Sequence, residues 1–184
     1  MKITIISVGK LKESYLVDGI KEYVKRLSKY TQIEEIVLLD EPIKDKTSDA
    51  LNIQIKEKEG LRIIEALNPK SYVIVLDLKG KMLSSEELAS KILEIQTYNS
   101  SHITFIIGGS LGLSDEVISK ANFRLCFSKM TFPHQLMKLI LVEQIYRSFK
   151  INNNETMIPA NINEPANNLF AIEYIPDIDC CSAG

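Results

Sequence analysis

The sequence predicts an α/β fold, with a mostly parallel sheet flanked by helices on both faces. Three observations predict it. Five short runs are rich in Ile, Val and Phe and lack polar alternation, as strands buried on both faces do. Each run is followed by a stretch with helical spacing or helix-cap chemistry. Gly, Pro, Asn and Ser punctuate the joins.

Ile3-Thr4-Ile5-Ile6-Ser7-Val8 is the first strand, closed by Gly9. From Leu11 to Leu27, Leu16, Ile20, Tyr23, Val24 and Leu27 share one helical face. Ile33 to Leu39 is strand-like. Lys44 to Ser48 is a polar loop, and Ser48 or Asp49 caps a helix that runs to about Leu67 and is stopped by Asn68-Pro69. Tyr72 to Leu76 is the third strand. Ser84-Ser85-Glu86-Glu87 opens a helix with a capping pattern and acids in the first turn. His102 to Ile107 is the fourth strand, ending in Gly108-Gly109, and Ser114-Asp115-Glu116 caps a short helix. Phe123 to Phe127 is the fifth strand. Pro133 opens a last helix through Phe149, a favourable position for proline.

Composition narrows the function. The chain has 184 residues, 22 basic and 24 acidic, for a net charge of −2. That balance excludes nucleic-acid coating by bulk charge but allows a local basic face, and Lys21, Lys25 and Lys29 have helical spacing that would align them. Three cysteines, two of them adjacent (Cys180, Cys181), do not make a disulfide framework, so a cytoplasmic setting is expected. Two histidines and no Cys-x-x-Cys leave no structural zinc site, and no metal is expected. The apolar N-terminal run is too short to cross a membrane.

In an open α/β sheet, ligands bind outside the carboxyl ends of the strands. Three loops lie there: residues 77–81, the Gly108-Gly109-Ser110-Leu111-Gly112 turn, and residues 128–134. The glycine cluster allows close backbone approach, although a tight turn explains it equally well. It matches neither the dinucleotide fingerprint nor the phosphate loop of nucleotide hydrolases. His134 begins the last helix and is a candidate for acid–base work or for structural hydrogen bonding. His102, opening a strand, reads as structural. Glu143, Gln144, Tyr146 and Arg147 bring polar chemistry to the last helix. Glu143 and Arg147 are spaced as an i, i+4 pair.

Four blocks together resemble one family: MKITIISVGKLKESY at the start, KGKMLSSEELA at 79–89, FIIGGSLGL at 105–113 and FSKMTFPHQLMKLILVEQIYRSFK at 127–150. They are similar to the bacterial ribosomal RNA large-subunit methyltransferase H family, of the SPOUT class. The resemblance covers residues 1–156, which it implies form a single domain with a C-terminal trefoil knot. It implies S-adenosylmethionine-dependent methylation at N3 of a pseudouridine in 23S ribosomal RNA, by a homodimer acting on the assembled ribosome. By position, it implies that the cofactor meets Leu76, Gly108, Phe127, Ser128, Lys129, Met130, Thr131 and Phe132. His134 and Arg147, on the helix after the last cofactor loop, are the candidates for orienting the base or stabilising its developing anion.

The tail departs from the family. Members usually end in a Tyr-His-Lys-like segment shortly after the last helix, whereas here Asn154-Glu155-Thr156 leads into Met157-Ile158-Pro159. Residues 157–184 hold three of the six prolines, four acids and no Lys or Arg, which leaves residues 1–156 with 22 basic and 20 acidic groups. The tail reads as a poorly ordered acidic extension, with Leu169 to Ile172 the one stretch able to pair as an edge strand. The family's tail lies near the active site, so a cofactor-binding dimer with reduced activity is expected. The alternative is a cofactor- or ribosome-binding homologue without catalysis.

Overall fold

The computed structural model describes residues 1–42 and 48–156; the expected tail features and most of the Lys44–Ser48 loop lie outside the described residues. The elements in order are β1 (Lys2–Val8), α1 (Ser14–Leu27), β2 (Gln32–Leu38), α2 (Asp49–Ala66), β3 (Tyr72–Met82), α3 (Ser85–Tyr98), β4 (His102–Ile107), α4 (Asp115–Ser119), β5 (Phe123–Cys126) and α5 (His134–Asn152). The strands form one sheet in the order β2-β1-β4-β3-β5, and every neighbouring pair is parallel. Strand order reverses where β1 and β4 lie side by side, and in open sheets of this kind ligands bind outside the carboxyl ends of the strands at such a point.

Burial on both faces explains the unbroken apolar runs. Ile3 and Ile5 of β1, Ile74 of β3 and Ile103, Phe105 and Ile107 of β4 face one layer. There they meet Leu16 and Ile20 of α1, Ile92 and Ile95 of α3, and Leu141, Val142 and Ile145 of α5. Ile6 and Val8, Val73 and Val75, and Ile106 face the other layer, against Ile63 of α2 and Val117 of α4. Each fully buried Ile or Phe contributes about 1.5–3 kcal/mol over an exposed one, so this two-sided core dominates stability.

At the amino edge of the sheet, His102 lies 2.8 Å from the Thr4 hydroxyl, which also donates to Glu34 at 2.9 Å. Burial lowers the pKa of His102, with Lys2 adding to the effect. Its position far from the carboxyl-edge loops agrees with a structural part.

Two boundaries differ from the expected ones. α1 starts at Ser14 rather than Leu11, because the chain first makes a turn at Gly9, with φ of +89°. β3 does not stop at Leu76 but continues to Met82. Leu76 and Lys81 both pair with Leu125, so residues 77–80 form an excursion within the strand. Gly80 permits it: a Cβ there would lie 2.6 Å from the Arg124 carbonyl oxygen.

Candidate functional site

The carboxyl edge of the sheet carries three groups of residues. Leu76, partly buried against the larger core layer, is the last β3 residue before the excursion. Asp77 closes that excursion by accepting from Arg124 Nε at 2.7 Å and from Lys79 N at 3.1 Å. Gly108 follows β4 directly. A Cβ on Gly108 would meet the Gly112 carbonyl carbon and a Leu113 methyl, both at 3.0 Å. The glycine at 108 is therefore required by the turn itself. Gly112, with φ of +83° and nothing within 4 Å of a Cβ, faces open space.

The third group is the loop from β5 to α5. The Cys126 thiol reaches the Ser128 carbonyl at 3.1 Å, and Ser128 Oγ accepts from Met130 N at 3.0 Å. Among the described residues, no backbone–backbone hydrogen bond involves 128–132. Phe127, Ser128 and Phe132 are half-buried, while Lys129, Met130 and Thr131 are exposed. Pro133 caps α5 without a side-chain hydrogen bond, which leaves the first-turn N–H groups to other partners. Apolar side chains beside unspent backbone donors and acceptors are the donor set that an adenosyl group with an amino-acid tail requires. The residues present fit S-adenosylmethionine in that respect.

His134 lies across from this loop at the end of β1. A Cβ on Gly9 would be 3.3 Å from His134 Nε2 and 3.8 Å from Asp40 Cγ, so the imidazole and the Asp40 carboxyl converge on Gly9. Lys12 N donates to Gln135 Oε1 at 3.2 Å and ties the start of α5 to the β1–α1 loop. Lys138, one turn further, is buried and paired with Glu35 of β2 at 2.7 Å.

Arg147 is elsewhere. It is thirteen residues along α5 from His134, or about 20 Å at helical rise, and its turn phase puts it on another side. It donates to Glu143 from Nε at 3.0 Å, and Glu143 also accepts from Gln144. Its charge bears on Tyr23 of α1 and Glu86 of α3. Burial, then Glu143, raises the Tyr23 pKa. The structure thus gathers Leu76, Gly108, the 127–132 loop and His134 at one edge and does not bring Arg147 to them.

Two residues at this edge were missed in the sequence. Glu59 of α2 is buried, accepts from Glu41 N at 3.0 Å and stands where a Cβ on Gly109 would be 2.8 Å from its Oε2. Burial pushes its carboxyl up. The signal was present: Ile55, Glu59 and Ile63 share the buried face of α2, so Glu59 interrupts an apolar stripe. Asp40 gives no such signal, because its proximity to His134 arises only when β2 docks beside β1. Among the described residues no cluster of His, Cys, Asp and Glu could hold a metal, and no helix is long and apolar enough to cross a membrane.

Residues 1–156 match the family described as predicted SPOUT methyltransferase. A protein named ribosomal RNA large subunit methyltransferase H, from Exiguobacterium sp., is 54% identical over 155 residues, covering 84% of this chain and 98% of that protein. One of the same name from Alkaliphilus oremlandii is 56% identical over the same shares. A solved structure titled as a probable methylase family protein from Haemophilus influenzae Rd KW20 shares 14% identity at a TM-score of 0.48, covering 86% of this chain and 70% of that one, and adds nothing to the assignment. With the match continuous through all ten elements, the chain belongs to the ribosomal RNA large subunit methyltransferase H family of SPOUT methyltransferases.

Proposed function

We propose that this chain transfers a methyl group from S-adenosylmethionine to N3 of a pseudouridine in 23S ribosomal RNA, as a cytoplasmic homodimer acting on the assembled ribosome. One observation carries the reading: relatives named for ribosomal RNA methylation match at more than half identity across nearly their whole length. Residues 1–156 act as the single domain, with the knotted C-terminal path that family membership implies.

When bound, S-adenosylmethionine supplies an electrophilic methyl on a sulfonium. Leu76, Gly108 and Phe127, Ser128, Lys129, Met130, Thr131 and Phe132 would hold it. The chain's own task is positional: place N3 in line at near-attack distance, keep water out and provide for the N3 proton. His134 suits that last role, since its Nε2 and the Asp40 carboxyl both approach Gly9 at the β1 turn. Arg147 cannot touch the same base from the same protomer. In a homodimer it can act on the base held by the other copy, stabilising charge as the proton leaves.

The second reading is a binding homologue with impaired catalysis. It is favoured by the tail: the family match ends at residue 156, and residues 157–184 lie beyond it. Transfer of labelled methyl to ribosomes lacking the modification tests both readings. This chain is run beside a version ending Tyr-His-Lys at 157–159. Reduced transfer by the natural chain and full transfer by the repaired one is the expected result. Equal rates would show the ending to be dispensable, and no labelling by either would refute the methyltransferase reading.

A further inference from the structure

At the far end of α5 from His134, the C-terminal halves of α1 and α5 enclose a groove of about 350 Å³, lined by Lys25, Arg26, Lys29, Tyr30, Tyr146 and Lys150. Its wall is aromatic. Tyr30 stacks on Phe149, with ring centroids 5.7 Å apart, and meets Tyr146 edge-on at 6.2 Å. Arg26 lies over Tyr23 at 5.7 Å and Lys29 over Tyr30 at 5.3 Å.

The groove holds an internal anion. Past α5, Asn154 takes a left-handed conformation with φ of +52°, and Glu155 N returns to the Lys150 carbonyl at 2.9 Å. That turn carries the Glu155 carboxylate back into the groove. A single oxygen, Oε2, accepts from the Tyr30 hydroxyl at 2.8 Å and from Lys150 Nζ at 2.7 Å, and lies 3.6 Å from Lys29 Nζ. Lys150, then Tyr30, hold this carboxyl at about 2. One side-chain lock needs one cation; here a hydroxyl and two ammonium groups converge on one oxygen. Glu22 is committed to Arg26 at 2.9 Å, and Lys25 makes no ion pair among the described residues. Four cations therefore face two carboxylates, in a chain whose net charge is −2.

We propose that this groove is a binding site for a backbone phosphate of the ribosomal RNA substrate, in which the Glu155 carboxylate is a displaceable stand-in. The inference rests on the RNA reading above and deepens it. Three donors aimed at one anionic oxygen suit a phosphate oxygen, and Lys25 and Arg26 suit the flanking phosphates. Entry of the phosphate expels the Glu155 carboxylate from the groove.

The test is the equilibrium binding of the full chain to ribosomes lacking the modification, as a function of salt. A Lys29→Gln, Lys150→Gln double variant should bind about tenfold more weakly, with a log–log salt slope shallower by about 1. Glu155→Gln, which keeps size but removes the charge, should bind several-fold more tightly at low salt. Pyrophosphate should shift the Tyr30 resonances at lower concentration in Glu155→Gln than in the natural chain. Unchanged affinity and slope in the double variant would overturn the proposal, as would weaker binding by Glu155→Gln. A fall to half the solution mass in the double variant would give the groove to a second copy of the chain and overturn it too. Binding is read apart from methyl transfer. Binding through this groove with no methylation by either this chain or its Tyr-His-Lys version would refute the enzyme reading alone.

Discussion

Gly9 concentrates two demands in one residue. Its φ of +89° lies where L side chains rarely go, and a Cβ would stand 3.3 Å from His134 Nε2. Gly9→Ala therefore costs about 1–2 kcal/mol in backbone strain and pushes the imidazole from its place. The 127–132 loop, proposed above to hold the cofactor, is not among the nearest neighbours of a methyl added to Gly9. Methyl transfer should drop at least tenfold while the Kd for S-adenosylmethionine changes less than threefold. Isothermal titration beside single-turnover kinetics separates the two, and a parallel loss of both would show that Gly9 only holds the fold. The arrangement also marks the limit of sequence reading. The FPHQL run gave His134 as a candidate, but Asp40, which shares Gly9 with it, lies in the segment after β2. No local pattern announces an approach made when β2 docks beside β1.

Elements were legible where their cause is local. All five strands and five helices follow from apolar runs, periodicity and caps, and the helix starts at Ser84 and Ser114 were found because cap chemistry is written in adjacent residues. The continuation of β3 to Met82 was not legible, because its cause is Leu125, which pairs with both Leu76 and Lys81. Its residues LKGK look like a polar loop until β5 arrives. Ser84 Oγ accepts from Glu87 N at 3.2 Å and Glu87 Oε2 accepts from Ser84 N at 2.8 Å, a reciprocal box at the start of α3. Ser84→Ala removes half of it and should cost about 1 kcal/mol, a fall in Tm of about 2–4 °C for a chain this size. Thermal unfolding by circular dichroism checks this. An unchanged Tm would mean that the packing of Leu88, Ile92 and Ile95 sets the helix start without the cap.

At the scale of the whole molecule, α5 is a strut with a candidate functional group near each end. His134 belongs to the carboxyl edge of the sheet, while Arg147 sits between α1 and α3 about 20 Å away. If both serve one base, they come from different copies, and two damaged chains should repair each other. In a mixed dimer of His134→Ala and Arg147→Ala chains, one site lacks both groups and the other keeps both. Random mixing makes half the dimers mixed, so activity should return to about a quarter of the natural level. Each variant alone should be far slower than that. The repaired Tyr-His-Lys ending is the background to use, so that the acidic tail does not mask the gain. Mixing that restores nothing, with mixed dimers shown to form, would mean that the two residues do not meet at a shared base. Arg147 would then be a structural partner of Glu143, and the proton chemistry would fall to the His134 end of the helix alone.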